Sequence, residues 1–278
     1  LPDLDVEGEH LRHYRQNAEW MRDQPNGIAI DGLVAGAEST TTRPVTGGIE
    51  RGGVLLVEGQ LAERRLLAAT LAGRIAPVSG HAHAHGHLTP GDESALMRRV
   101  AVVDASTLDS RSAELTVGAL LEERLRLGRG AAGGSVPPAL IEQGIAEISA
   151  AAARLRDGSP RVQADTSLGE LRPASRGVAL ARIALAEGPE VLILDLGPGA
   201  EPEVTTRLAA SLLREASALA APETTIVLGL PSGLDPAAIV GEVRRPAGRI
   251  RLDAPPAASA GAPQPTHEAT STHKGALA

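Results

Sequence analysis

The chain has 278 residues, a formal net charge of -7 and 42% hydrophobic residues, enough for one α/β domain of more than about 200 residues with tails. It has no Cys, which excludes a disulfide framework and thiolate chemistry. No apolar run approaches the ~20 residues needed to span a bilayer, and the acidic balance argues against nucleic acid as a partner.

There is no Phe, and the single Tyr and Trp, Tyr14 and Trp20, both lie near the N-terminus. The core must therefore be built from Leu, Ile, Val and Ala. The Ala and Arg bias is of a kind associated with GC-rich bacterial genomes. Residues 1–24 are polar and weakly periodic. They read as a disordered segment, or as an extension upstream of a start at Met21. Ile28-Ala29-Ile30 is a candidate edge strand, and Gly47 to Gly53 a turn. Val54 to Gly59 is a buried strand. Leu61 to Ala72 is a helix with Leu66, Leu67 and Leu71 on one side, closed by Gly73 and Pro77.

Residues 81–91 alternate His with small residues. Val100 to Asp104 is a second buried strand. Leu115-Thr116-Val117 leads into a charged helix, Gly118 to Leu127, followed by a Gly-rich loop. Pro137-Pro138 opens a helix with Ile141, Ile145 and Ile148 on one face. After a loop, Arg176 to Gly188 reads as a helix. Val191 to Leu194 is an apolar run without alternation, as expected of a parallel strand covered on both faces, and Asp195 ends it. A helix over Pro202 to Ala220, a strand over Thr225 to Leu228 and a last strand over Arg249 to Leu252 complete the pattern. Residues 253–278 are Ala/Pro/Thr/Ser-rich and read as a disordered tail. Alternating strands and helices favour a mostly parallel sheet covered by helices.

Four segments carry a resemblance. They are RGGVLLVEGQLAERRLLAATLAGRIAPVSG, RRVAVVDASTLDSRSAELTVGALLEERLRL, LGELRPASRGVALARIALAEGPEVLILDL and TTIVLGLPSG. In order and spacing they resemble the phosphate loop, glutamine loop, signature helix with second acidic strand, and switch strand of the ATP-binding cassette (ABC) transporter ATPase. The resemblance implies an α/β, P-loop NTPase-like fold, with a mostly parallel sheet, flanking helices and a helical insertion. The cassette spans 25–252, with the helical part at about 115–180.

The chemistry that belongs to this resemblance is largely missing. A phosphate loop reads G-x-x-x-x-G-K-[ST]; here Gly59 to Leu66 is one residue short and lacks the second glycine. The Lys slot falls on Arg64 and the Ser/Thr metal-ligand slot on Arg65. An Arg can pair with phosphate, but its planar fork needs a different geometry; alternatively, both arginines lie on a solvated helix face. The glutamine slot falls on Ala105, beside Asp104. The signature falls on Glu170 to Ala174 without its glycines. The general-base position is Leu196, which cannot polarise water, and the switch His position is Pro231. Gly59, Arg64, Arg65 and Asp195 remain as a candidate residual site for weak binding of ATP and Mg²⁺, and no catalytic residue is assigned.

His81, His83, His85 and His87 lie at i, i+2, i+4 and i+6. On one strand they share a face, and facing imidazoles bind Zn²⁺, Ni²⁺ or Cu²⁺. They form a candidate metal surface, although neighbours at about 6–7 Å are too far apart to chelate one ion without bending. The resemblance implies a degenerate nucleotide-binding subunit. It would dock on an integral-membrane transport subunit at the cytoplasmic face of the cell membrane, as a homodimer or heterodimer. A divergent but active ATPase subunit is the alternative, and a soluble metal-binding protein a third reading.

Overall fold

The computed structural model describes residues 20–21, 24–37, 40–104, 110–129, 135–198, 201–241 and 243–252. The expectations for the tail and for most of residues 1–24 lie outside the described residues, as does Ala105. In chain order the elements are β1 (Ile28–Val34), β2 (Gly36–Ala37), β3 (Thr40–Thr41), β4 (Val45–Ile49), β5 (Val54–Glu58), α1 (Leu61–Leu71), β6 (Ser79–Ala84) and β7 (His87–Thr89). Then follow α2 (Glu93–Arg99), β8 (Val100–Asp104), α3 (Ser110–Glu114), α4 (Val117–Gly128), α5 (Pro138–Leu155), a single 3-10 turn (Leu168–Glu170) and α6 (Pro173–Leu185). The chain closes with β9 (Val191–Asp195), α7 (Pro202–Leu219), β10 (Thr225–Leu230), α8 (Pro236–Val240) and β11 (Ala247–Arg251).

A parallel sheet has the order β11-β5-β10-β9-β8, and an antiparallel sheet the order β4-β1-β6-β7. β1 is thus an inner strand, not the edge strand that its short apolar run suggests. Its partners β4 and β6 carry too many Gly and His residues to read as strands from hydrophobicity.

The unbroken apolar runs of β5, β9 and β10 follow from burial on both faces. Leu55, Val57, Ile193 and Val227 pack with Leu67 and Leu71 of α1 and with Ile28 and Ile30 of β1. This places α1 between the two sheets. On the other face Val54, Leu56, Leu192, Leu194 and Ile226 meet Val178 and Ala181 of α6 and Leu212 and Leu213 of α7. A third cluster joins α4, α5 and α6 through Val117, Leu121, Ile148, Ala179 and Ile183. Lacking Phe, the helical part closes by near approach. A Cβ added at Gly144 of α5 would stand 2.5 Å from Leu121 Cδ2 of α4, well inside contact distance.

Candidate functional site

β5 and β9 flank β10, so the loop after β5 and the last residue of β9 open at the same carboxyl edge of the sheet, where α/β folds bind ligands. Gly59 leaves β5 and Gln60 precedes the first turn of α1. Arg64, in that first turn, reaches back across the strand edge to Asp195. Gly229 of β10 lies between them, in register with both Val57 and Asp195. A Cβ at Gly229 would stand 2.4 Å from Asp195 Oδ2 and 3.3 Å from Arg64 Nε, so the missing side chain provides the passage.

The two side chains form a bidentate pair. Arg64 Nε donates to Asp195 Oδ2 at 2.8 Å and Nη2 to Oδ1 at 2.9 Å. Nη1 donates to the Gly59 carbonyl at 2.6 Å, and Nη2 also to that of Gly197 at 2.8 Å. The backbone N–H of Gly197 completes the carboxylate, donating to Oδ1 at 2.6 Å. Arg64 is 3% and Asp195 7% exposed. The cavity beside them, bounded by Leu67, Ala68, Ile193 and Gly229, has a volume of about 10 Å³, room for at most one water.

The neighbouring positions are satisfied in the same way. Arg65 donates from Nε and Nη2 to Asp104 Oδ2 at 2.9 and 2.6 Å, across to the end of β8. Glu63 turns its carboxylate onto the backbone N–H of Gln60 at 3.2 Å, the end of α1 where an anion would sit. At the start of α6, Asp157 accepts from the backbone N–H and the hydroxyl of Ser175, both at 2.9 Å, and from Ser159 N–H at 3.0 Å. Burial opposes the charged form of Asp157. These hydrogen bonds outweigh it and hold the carboxyl below its usual pKa.

The structure therefore brings Gly59, Arg64 and Asp195 together but joins them to one another, and it sends Arg65 to Asp104. Neither arginine lies on a purely solvated helix face. The groups as they stand do not fit a magnesium phosphate: both Asp195 oxygens are engaged and both helix ends meet internal carboxylates. Leu196 packs partly buried against the α6/α7 side of the core. From sequence Glu63 reads only as like charge towards a phosphate; its capping bond to Gln60, and Asp157, were missed. A Glu three residues after Gln60 is a capping signal, whereas nothing local marks Asp157 as a partner of Ser175.

The histidines do not share one strand face. The chain turns at His85 and Gly86, with φ of 49° and 83°, and β7 runs back antiparallel. The register sets His83 opposite Leu88 and Ala84 opposite His87, so His87 lies on the face away from His81 and His83. His85 instead ties the hairpin to the parallel sheet. Its Nε2 lies 2.8 Å from Thr225 Oγ1, and Arg51 Nε donates to its Nδ1 at 3.1 Å. That bond keeps Nδ1 unprotonated and leaves Nε2–H to donate to Thr225. Burial, and then Arg51, push the His85 pKa down to about 4. Among the described residues no three His, Cys, Asp or Glu side chains are grouped to hold a metal ion.

No protein-family model matches the sequence, and no curated protein matches it. Solved structures do. A nucleotide-free ATP-binding cassette from an ABC transporter superposes with a TM-score of 0.51 at 14% identity, covering 82% of this chain and 89% of its own. The fold is that of an ATP-binding cassette. A cassette protein of Clostridium perfringens, part of an ABC transporter complex, gives a TM-score of 0.54 at 15% identity over 82% of this chain and 87% of its own. A cassette in a dimeric post-hydrolysis state, bound to ADP and Pi, gives 0.53 at 11% identity over 82% and 97%. These likenesses establish the α/β, P-loop NTPase-like fold expected from the four sequence segments.

Proposed function

We propose that this chain is a degenerate nucleotide-binding subunit that keeps the cassette fold, over 25–252, as a docking scaffold for a membrane transport partner and does not hydrolyse ATP. The observation that carries this reading is the buried Arg64–Asp195 pair. A cassette hydrolyses ATP by surrounding the transferred phosphoryl with preorganised cations, donors and a base. Here the cation at the Lys slot is spent on the carboxylate at the metal slot. The general-base slot is Leu196 and the switch slot Pro231, and neither can move a proton.

A cleft supports the docking role. It measures about 430 Å³ and lies beside β8, the outer strand of the parallel sheet, between that strand and the helical part. Met97 and Leu115 stand on its wall, 54% and 44% exposed, with Arg124 and Glu187 paired at its rim. Among the described residues no helix is long and apolar enough to cross a membrane, which fits a peripheral subunit at the cytoplasmic face.

Isothermal calorimetry with ATP, with and without Mg²⁺, tests the proposal. The expected result is no binding at millimolar nucleotide. Micromolar, Mg²⁺-dependent binding that disappears in Asp195→Ala would favour the alternative, a divergent active ATPase subunit.

A further inference from the structure

Trp20 packs on the face of β6 that carries His81 and His83. Its ring lies edge-on to both, with centroids 4.2 Å from His81 and 5.6 Å from His83. His83 is 2% exposed, and neither of its ring nitrogens has a hydrogen-bond partner. Its strand neighbours by register are Ala29 on β1 and Leu88 on β7, which offer no side-chain acceptor. In this setting a neutral imidazole serves as aromatic surface for the indole. An imidazolium would carry a buried charge and two unanswered N–H donors, which is costly. It becomes affordable only if the ring reaches water, and Trp20 stands against it.

We propose that Trp20, His81 and His83 form an acid-sensitive clasp, which holds the Trp20–Met21 segment on the antiparallel sheet while His83 is neutral and releases it when His83 is protonated. The surrounding charges fit this assignment. On β1 the carboxylate is Asp31, which is half-exposed, opposite His81 in register and 3.8 Å from its Nε2. It faces His81, not His83. His85 in the turn is hydrogen-bonded to Arg51 and Thr225, with Glu190 Oε2 3.5 Å from its Nδ1. His87 on β7 lies on the other face. Burial holds His83 below its ordinary 6.5, so release falls on the acid side of that value. The clasp does not rest on the reading of the Arg64–Asp195 site.

Trp20 is the single tryptophan, so its fluorescence reports on the clasp alone. The full chain is titrated from about pH 7.5 to about pH 5, following emission wavelength, acrylamide quenching and far-UV circular dichroism together. The expected result is a red shift and stronger quenching with a midpoint below 6.5, at unchanged circular dichroism. Both changes are lost in His83→Leu and kept in His81→Gln. Where His83→Leu does not fold, His83→Gln, neutral at every pH, carries the same expectation. Three results overturn the proposal: emission insensitive to pH in the unaltered chain, a shift that coincides with loss of circular dichroism, or a shift that survives in a folded His83 variant.

Discussion

Arg64 and Asp195 are opposite charges withdrawn almost wholly from water. Desolvation of such a pair consumes most of its Coulomb attraction, and additional hydrogen bonds decide whether it holds. Here they are supplied by the Gly197 N–H and by the carbonyls of Gly59 and Gly197. The consequence is an asymmetry between single and double substitutions. Asp195→Leu leaves a buried guanidinium without its carboxylate and is expected to lower the unfolding free energy by roughly 3–5 kcal/mol, with Arg64→Met comparable. The pair Arg64→Met, Asp195→Leu restores most of the loss, because two apolar side chains of similar volume replace the ion pair. Urea denaturation of the four proteins in a double-mutant cycle measures this as a large favourable coupling. A carboxylate kept for metal behaves oppositely, since its removal from the empty site costs little stability or adds some. A coupling near zero would therefore contradict a structural Arg64–Asp195 pair. Arg64→Lys is expected to resemble the single deletions, because an ammonium cannot reproduce the two parallel bonds.

The β6/β7 hairpin is paired with β1 along β6, and at its turn the His85 side chain links it to the parallel sheet. His85 sits at its turn, and Thr225, at the start of β10, lies in the other sheet. The folded imidazole has a pKa of about 4, below the unfolded 6.5. Between these values the unfolded chain binds more protons, so stability rises with pH through the window and is lost as pH falls from 6.5 towards about 4. The loss amounts to at most roughly 3 kcal/mol. His85→Gln is expected to flatten this part of the stability profile, measured by urea denaturation at stepped pH; an unchanged slope would place the titration elsewhere. The same hairpin marks the limit of what was legible in the chain. β5, β9 and β10 were readable because burial on both faces demands unbroken Val, Leu and Ile runs. α1, α5 and α7 were readable because each buries one stripe, and α6, buried against two clusters, because its apolar residues recur at helical spacing. β6 was not, since Ser-Gly-His-Ala-His-Ala carries neither strong apolar alternation nor a standard turn pair before His87. The positions of Arg64 and Asp195 were also legible, through the order of segments. Their bond was not, because 131 residues separate them and their meeting depends on Gly229 and on the register of three strands.

At the scale of the molecule, two helix ends are answered by internal carboxylates. The carboxyl edge of the sheet has its cations turned onto Asp195 and Asp104, and its helix end onto Glu63. The α6 end has Asp157 on Ser175. The cassette family's dimer sandwiches ATP between a phosphate loop and the partner's signature helix, so the nucleotide supplies the anion that both ends lack. In this chain both ends already hold an anion of their own. A bound ATP would have to displace Glu63 and Asp157, and with Arg64 and Asp195 joined to each other it would bring negative charge to a chain already at -7. Mass action then works against nucleotide-driven association, because a ligand shifts an equilibrium only through its differential affinity for the two states. Sedimentation velocity should accordingly give the same mass distribution with no nucleotide, with ATP and with ATP plus Mg²⁺, whatever the resting oligomeric state. A shift towards a larger species on adding ATP would show that Glu63 and Asp157 yield to phosphate, and would return the chain to the nucleotide-driven members of its fold. If the distribution holds, the proposed docking on a membrane partner draws its free energy from contact surface alone. The cleft beside β8, with its exposed Met97 and Leu115, is then one place where apolar area remains to be buried.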